Sequence, residues 1–325
     1  MMNKILKISC IIIINILFVV FVIFISDLII YNNHAQKRYK SAANGFSVPA
    51  FKYSFDHKYY FDMSTYFTGG DNIFKGRKPV GSEYYNDGNS IVIFGGSFAH
   101  NQYLDEDKTL GYKLSQELKR PVYNRAIPGR GVEQMYLQCA SDIFYRDVPK
   151  SDMVIYIMID DHFRRMKVNN VGVLDIHYID NYRVKNGKIV EVKNNPLINL
   201  IKSSYSVKLI NQTWATNYIN NEKNSDKLTD EMLLYFTESR RAMENRWNNK
   251  IRFIVLFYTN IPYEEKIKAK LKANSFEVYS IPKEIAPNIE LMYEEYLISD
   301  VNFHPNEKAV DIILKELIEK LNLKK

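Results

Sequence analysis

The stretch Ile91-Val-Ile-Phe-Gly-Gly-Ser97-Phe-Ala-His-Asn101 decides how this chain is read. Apolar residues of β type, Ile91 to Phe94, run into two glycines and then a serine. The pattern predicts a buried strand ending in a tight turn that presents a hydroxyl. In open α/β sheets, ligand and catalytic groups collect outside the carboxyl ends of strands. Ser97 is therefore the first candidate functional residue. A serine that merely caps the following helix would leave the same trace.

Far downstream, Asp300-Val-Asn-Phe-His304-Pro305 precedes an amphipathic stretch. A serine hydroxyl is a weak nucleophile until a base takes its proton. A neutral imidazole can do that and return the proton to a leaving group, and a carboxylate can orient the ring. His304 is the candidate base and Asp300 the candidate orienting acid. Pro305 at a first helical position would equally suit a plain loop histidine before a helix.

Between these two segments the pattern alternates. Strands are predicted at Ile91–Phe94, Pro121–Arg125, Asp152–Ile159, Ile251–Tyr258 and Phe276–Ile281. Helices are predicted at Leu110–Leu118, Val132–Arg146, Leu228–Asn248, Pro262–Asn274 and Pro305–Leu323. Near-continuous apolar strands alternating with amphipathic helices predict an α/β fold with a parallel sheet covered on both faces. The alternation breaks at 166–227, read as an insertion on one rim. It holds a hairpin signal, Tyr182 to Val192 around Asn186-Gly187, and a helical pattern from Pro196 to about Tyr218. Such an insertion either shapes substrate access or is a packing lobe.

Two further strand ends carry polar groups. Asn124 to Gly131 follows the second strand, and Gly129 could offer its N–H to an oxyanion or simply make a turn. Ile159-Asp160-Asp161-His162-Phe-Arg164-Arg165 ends the third. Asp160, Asp161 and His162 raise the question of a metal, but no second His/Asp cluster completes a ligand set, so no metal is expected. His162 and the arginines, Arg164 among them, are candidates for binding substrate or completing an oxyanion hole. His100 reads as a helix-face histidine.

The chain has 325 residues, 46% hydrophobic and 25% charged, which is ordinary globular composition. The net charge of +7 suits anionic polymers or headgroups, or just a soluble Lys-rich surface. No arginine stripe with interleaved aromatics appears, so nucleic acid is not expected as a partner. The absence of a Gly-x-x-x-x-Gly-Lys-Ser/Thr element and of a full Gly-x-Gly-x-x-Gly fingerprint argues against a nucleotide-dependent transferase. Residues 1–31 read as an uncleaved transmembrane anchor: Lys4 and Lys7 precede an uncharged run from Ile8 to Ser26. The early lysines favour a cytoplasmic N-terminus and an extracytoplasmic catalytic part, against the counter-signal of Lys37, Arg38 and Lys40. Residues 32–89 read as a juxtamembrane linker and irregular lead-in. Cys139 is alone beyond the anchor, so an internal disulfide there is excluded.

Gly95-Gly-Ser97, Asn124–Gly131, Ile159–His162 and Asp300–His304 stand in the order and spacing of the SGNH/GDSL hydrolases, and residues 90–325, apart from the insertion, resemble that superfamily. The resemblance implies a three-layer α/β/α sandwich around a parallel sheet of about five strands. It implies ester chemistry through an acyl-serine, with no cofactor, on acylated carbohydrate or lipid substrates. By position, Ser97 would be the nucleophile, Gly129 an oxyanion donor, His304 the base and Asp300 its acid. The chain departs from the pattern at three places. Gly96 stands where an Asp is usual, Asp160 stands where an oxyanion Asn is usual, and Asp300 and His304 are separated by three residues instead of two. A carboxylate would repel an oxyanion unless protonated, so either a protonated Asp160 or His162 would stand in for the usual donor. An inactive, glycan-binding or scaffolding member is the competing reading.

Overall fold

The computed structural model describes residues 76–167, 182–191, 213–287, 294–299 and 302–323, together with Phe18, Phe21, Val22 and Ile25. Five strands form one parallel sheet: β1 (Ser90–Gly95), β2 (Val122–Asn124), β3 (Ser151–Met158), and two more at Arg252–Phe257 and Glu277–Ser280. Their spatial order puts β1 between β2 and β3, followed by the Arg252 and then the Glu277 strand. The chain thus leaves β1 toward one edge and returns beside it toward the other. That reversal is a topological switch point, where the carboxyl ends of two strands open a crevice.

Alternation along each strand builds two cores. Val92, Phe94, Val154, Tyr156, Met158, Phe253, Val255 and Phe257 point to one face. There they meet helices α3 (Val132–Cys139) and α4 (Asp142–Asp147), with Met232, Phe236 and Met243 of Ser225–Trp247 and Leu271 of Glu264–Ala273. Ile91, Ile93, Met153, Ile155, Ile157, Ile254 and Leu256 point the other way, onto α1 (Ser97–His100), α2 (Leu110–Leu118) and the closing helix Glu307–Lys320. Burial on both faces explains why these strands read as unbroken apolar runs. The sheet with helices on both sides is the expected α/β architecture.

Three boundaries differ from expectation. The predicted helix Val132–Arg146 is two helices, because Ser141 breaks it and caps the second, its Oγ accepting from Ile143 N–H at 3.2 Å. The closing helix begins at Glu307, not Pro305, because Asn306 takes the cap, accepting from Ala309 N–H at 3.1 Å. Pro305 belongs instead to a short strand, Asn302–Pro305, paired antiparallel with Leu297–Ser299. From Gly76, the stretch assigned to the lead-in is built onto the sheet. Val80 bridges Val122, and Arg77 donates to the carbonyls of His100, Asn101 and Leu104.

The hairpin forms as predicted, Tyr182–Lys185 against Lys188–Glu191, with Asn186 and Gly187 both at positive φ. Of the helical pattern expected to about Tyr218, residues 213–219 are described and helical. The anchor expected over 1–31 lies outside the described residues except for Phe18, Phe21, Val22 and Ile25, which are helical and exposed. Among the described residues, no helix is long and apolar enough to cross a membrane.

Candidate active site

Ser97 is 7% exposed and opens α1 immediately after β1. The turn before it needs glycine. Gly95 has φ +144, and a Cβ there would stand 2.6 Å from Ile157 O and 2.7 Å from Ala99 Cβ. Gly96 is equally crowded: a Cβ would meet Arg165 Nη1 at 2.9 Å and His162 Nε2 at 3.1 Å. The missing side chains let the serine turn lie flat against the end of β3. Asn124 fixes the turn from the β2 side, its Nδ2 donating to Ala99 O at 2.9 Å.

His304 reaches this serine from 207 residues away, with Nε2 and Ser97 Oγ 2.7 Å apart. That is within reach for proton transfer between a hydroxyl and an imidazole. The ring packs against two aromatic side chains, 5.1 Å from Phe98 and 4.8 Å from Tyr103 between centroids. The chain just after it is tied down by Asn306. The Asn306 Nδ2 donates to Glu295 O at 2.8 Å and Leu297 O at 3.0 Å, while its Oδ1 caps the closing helix. Lys113 on α2 binds Glu307 and Asp311 at that helix's start, joining the two sides of the site. Asn306→Ala is expected to cost about 1–2 kcal/mol, from one lost cap and the lost donor to the part-buried Leu297 carbonyl. Urea titration gives the stability change, and a parallel fall in kcat shows that His304 has moved.

Burial, and then the Arg165 charge, lower the His304 pKa from 6.5 to about 4. The sign is that of a base kept neutral: above about pH 4 the imidazole is free to accept the serine proton, and below it the ring is blocked. The acid limb of kcat/KM is expected near pH 4 instead of 6.5. Arg165→Gln should move that limb upward, part of the way to 6.5, because burial remains. A pH–rate profile of both proteins checks it, and an unmoved limb would remove Arg165 from the site's electrostatics.

The third-strand residues divide in a way the sequence did not indicate. Asp160 is exposed, its N–H donating to Thr259 Oγ1 at 3.0 Å and its carboxylate accepting from the same hydroxyl at 3.3 Å. Asp161 binds both arginines. Burial raises its pKa, but the Arg165 charge and then the Arg164 hydrogen bond outweigh that and hold the carboxyl below its usual value. Arg164 makes a paired contact with both Asp161 oxygens. Arg165, not Arg164, lies against Gly96, and its Nη1 donates to Arg130 O at 2.9 Å. Both arginines stood as candidates in the sequence, which singled out Arg164; nothing in their spacing from Asp161, three and four residues, favoured Arg165.

His162 is fully buried under Gly96, with Nδ1 3.0 Å from Tyr156 Oη. Gly129 sits in the turn Ile127–Arg130, closed by Arg130 N–H donating to Ile127 O at 3.1 Å, with φ +76 at the third position. That loop is fastened to the serine turn by Ile127 N–H donating to Gly95 O at 3.0 Å. Asp300 lies outside the described residues. Tyr103, 39% exposed beside His304, is a site residue that the sequence gave no reason to select. No set of three or more His, Cys, Asp or Glu residues suited to a metal occurs among the described residues.

No protein-family profile matches the chain, and no curated protein matches it. Among solved structures, it is similar to a lipolytic protein of the G-D-S-L family from Desulfitobacterium hafniense DCB-2. The identity is 12% and the TM-score 0.40, over 71% of this chain and 98% of that one. A G-D-S-L lipolytic protein from Veillonella parvula DSM 2008 aligns at 11% identity and TM-score 0.40, over 72% and 98%. An acetyl xylan esterase from Butyrivibrio proteoclasticus aligns at 10% identity and TM-score 0.39, over 74% and 66%. These overlaps are too loose to decide an activity, which has to be argued from the Ser97–His304 geometry.

Proposed function

We propose that this protein is a serine esterase, deacylase or O-acyltransferase that works through an acyl-serine at Ser97. The observation that carries the reading is the 2.7 Å approach of His304 Nε2 to Ser97 Oγ, at the carboxyl edge of a parallel sheet. Ser97 Oγ attacks the ester carbonyl while His304 accepts its proton. The carbonyl electron pair moves onto oxygen, and the developing charge lies beside the Arg165 guanidinium. Collapse breaks the C–O bond, and His304 returns the proton to the leaving alkoxide. Water or a sugar hydroxyl then takes the acyl group by the same steps in reverse order. Asp300 is the proposed orienting acid for His304, and Gly129 a proposed backbone donor.

The proposed substrate is an O-acylated envelope glycan, met by a catalytic part held outside the cytoplasm by the N-terminal apolar segment. The exposed Tyr103 ring beside His304 supports a sugar, since an aromatic face packs against the C–H face of a pyranose while its hydroxyl stays wet. The test is direct. Full-length protein in detergent, quenched during turnover of an acetylated oligosaccharide, should carry an acetyl mass on the peptide containing Ser97. An acetyl group absent from that peptide under steady turnover would overturn the reading.

A further inference from the structure

His162 holds an unusual position for a buried polar side chain. It is 0% exposed, yet its Nε2 has no hydrogen-bond partner. Leaving a buried polar atom unpaired costs about 1–3 kcal/mol, and folded proteins keep few such atoms. This one lies at the candidate site, 3.1 Å from the position a Cβ on Gly96 would occupy.

The other ring nitrogen decides what Nε2 carries. Tyr156 is also fully buried, and its hydroxyl meets His162 Nδ1 at 3.0 Å. Burial, and then the Glu133 charge, hold the phenol far above its usual pKa, so its proton stays on. That O–H needs an acceptor, and Nδ1 is there. A phenol donating to Nδ1 puts the imidazole proton on Nε2. Burial, and then Arg165, keep the ring neutral, far below its ordinary pKa. His162 is thus a neutral N–H donor aimed at the serine turn, with no acceptor in the resting protein.

We infer that His162 Nε2–H is the side-chain oxyanion donor of this site, and that Tyr156 is the positioning residue that sets its tautomer. The inference rests on the acyl-serine reading. It also accounts for Asp160, the residue in the sequence slot of a carboxamide donor, being turned out to solvent and Thr259. In the acylation step the carbonyl electron pair becomes an oxyanion that accepts the His162 hydrogen bond. No proton passes to it, because a neutral imidazole N–H is a donor and a very poor acid. The bond unmade in the resting protein is then made only as charge develops, so it lowers the barrier without tightening substrate binding.

The experiment uses full-length protein in detergent, with p-nitrophenyl acetate and a fluorophosphonate serine probe. His162→Leu is expected to lower kcat by about 10²–10³-fold with KM within about threefold, and His162→Gln, which keeps a donor at the same reach, should recover part of the loss. Tyr156→Phe should lower kcat and leave KM alone. Histidine-labelled ¹⁵N spectra should show the His162 proton on Nε2 in the wild type. A proton on Nδ1 overturns the inference whether or not any variant folds. So does a folded His162→Leu protein with wild-type kcat. Wild-type protein that never reacts with the probe at Ser97 would instead overturn the acyl-serine reading itself, while probe labelling at an unchanged rate in His162→Leu overturns only the role of His162.

Discussion

Ser97→Ala is expected to reduce ester turnover by about 10⁴–10⁶-fold, with the fold intact and fluorophosphonate labelling gone. Ser97 is 7% exposed and its one oxygen contributes little to packing, so its removal should leave thermal unfolding within a degree or two of wild type. His304→Ala should fall to a similar rate, because a serine without its base is an ordinary alcohol. The two together should be no worse than either alone. They act as one device, held at 2.7 Å, and the device is lost with the first substitution. Initial rates on p-nitrophenyl acetate for the two single variants and the double measure this. Additive losses in the double variant would mean that the two side chains act separately, and turnover within tenfold of wild type in Ser97→Ala would end the serine mechanism.

Gly95→Ala is expected to be the most damaging small substitution near the site, at about 3–5 kcal/mol of stability. Two costs combine. The φ of +144 is a conformation that L side chains rarely adopt. The new Cβ would also stand 2.6 Å from Ile157 O in the neighbouring strand and 2.7 Å from Ala99 Cβ. Neither neighbour can yield, since one is sheet backbone and the other is packed in the core. Such a loss is a large share of the roughly 5–15 kcal/mol that holds a domain together. Gly187→Ala is the control: φ is also positive there, at +70, but nothing lies within 4 Å. It should cost only about 1 kcal/mol. Urea midpoints for both variants make the comparison, and equal losses would mean that strain alone, not contact, sets the price of Gly95.

The two effects share a cause. The glycines at the end of β1 bring the serine turn down onto β3, and the same closeness places His162 and Arg165 against Gly96, next to Ser97. A residue with a side chain at either position would lift Ser97 away from both. Stability and chemistry are therefore coupled at Gly95 and Gly96 and nearly independent at Ser97.

Much of the fold was legible because its signals are local. A strand buried on both faces must be apolar at every position, and a helix on one face must repeat its apolar residues at three and four. The break at Ser141 and the start at Glu307 were misplaced because periodicity continues through a cap, and only the cap's own hydrogen bonds end the helix. Ser97 was legible from two glycines before it. His304 stood out in the sequence beside Pro305, though read at a helix start when it lies on a short strand.

From the sequence by itself came the parallel α/β layout, the serine turn, the late histidine and the charged end of the third strand. Each is written in neighbouring residues, because backbone freedom, burial period and turn chemistry act over a few positions. Only the tertiary structure decided that Nε2 of His304 meets Oγ of Ser97, that Arg165 and not Arg164 lies under Gly96, and that His162 turns inward while Asp160 turns out. Adjacent residues on a helix point about 100° apart, and which of them faces the site depends on how that helix packs against strands far away in the chain.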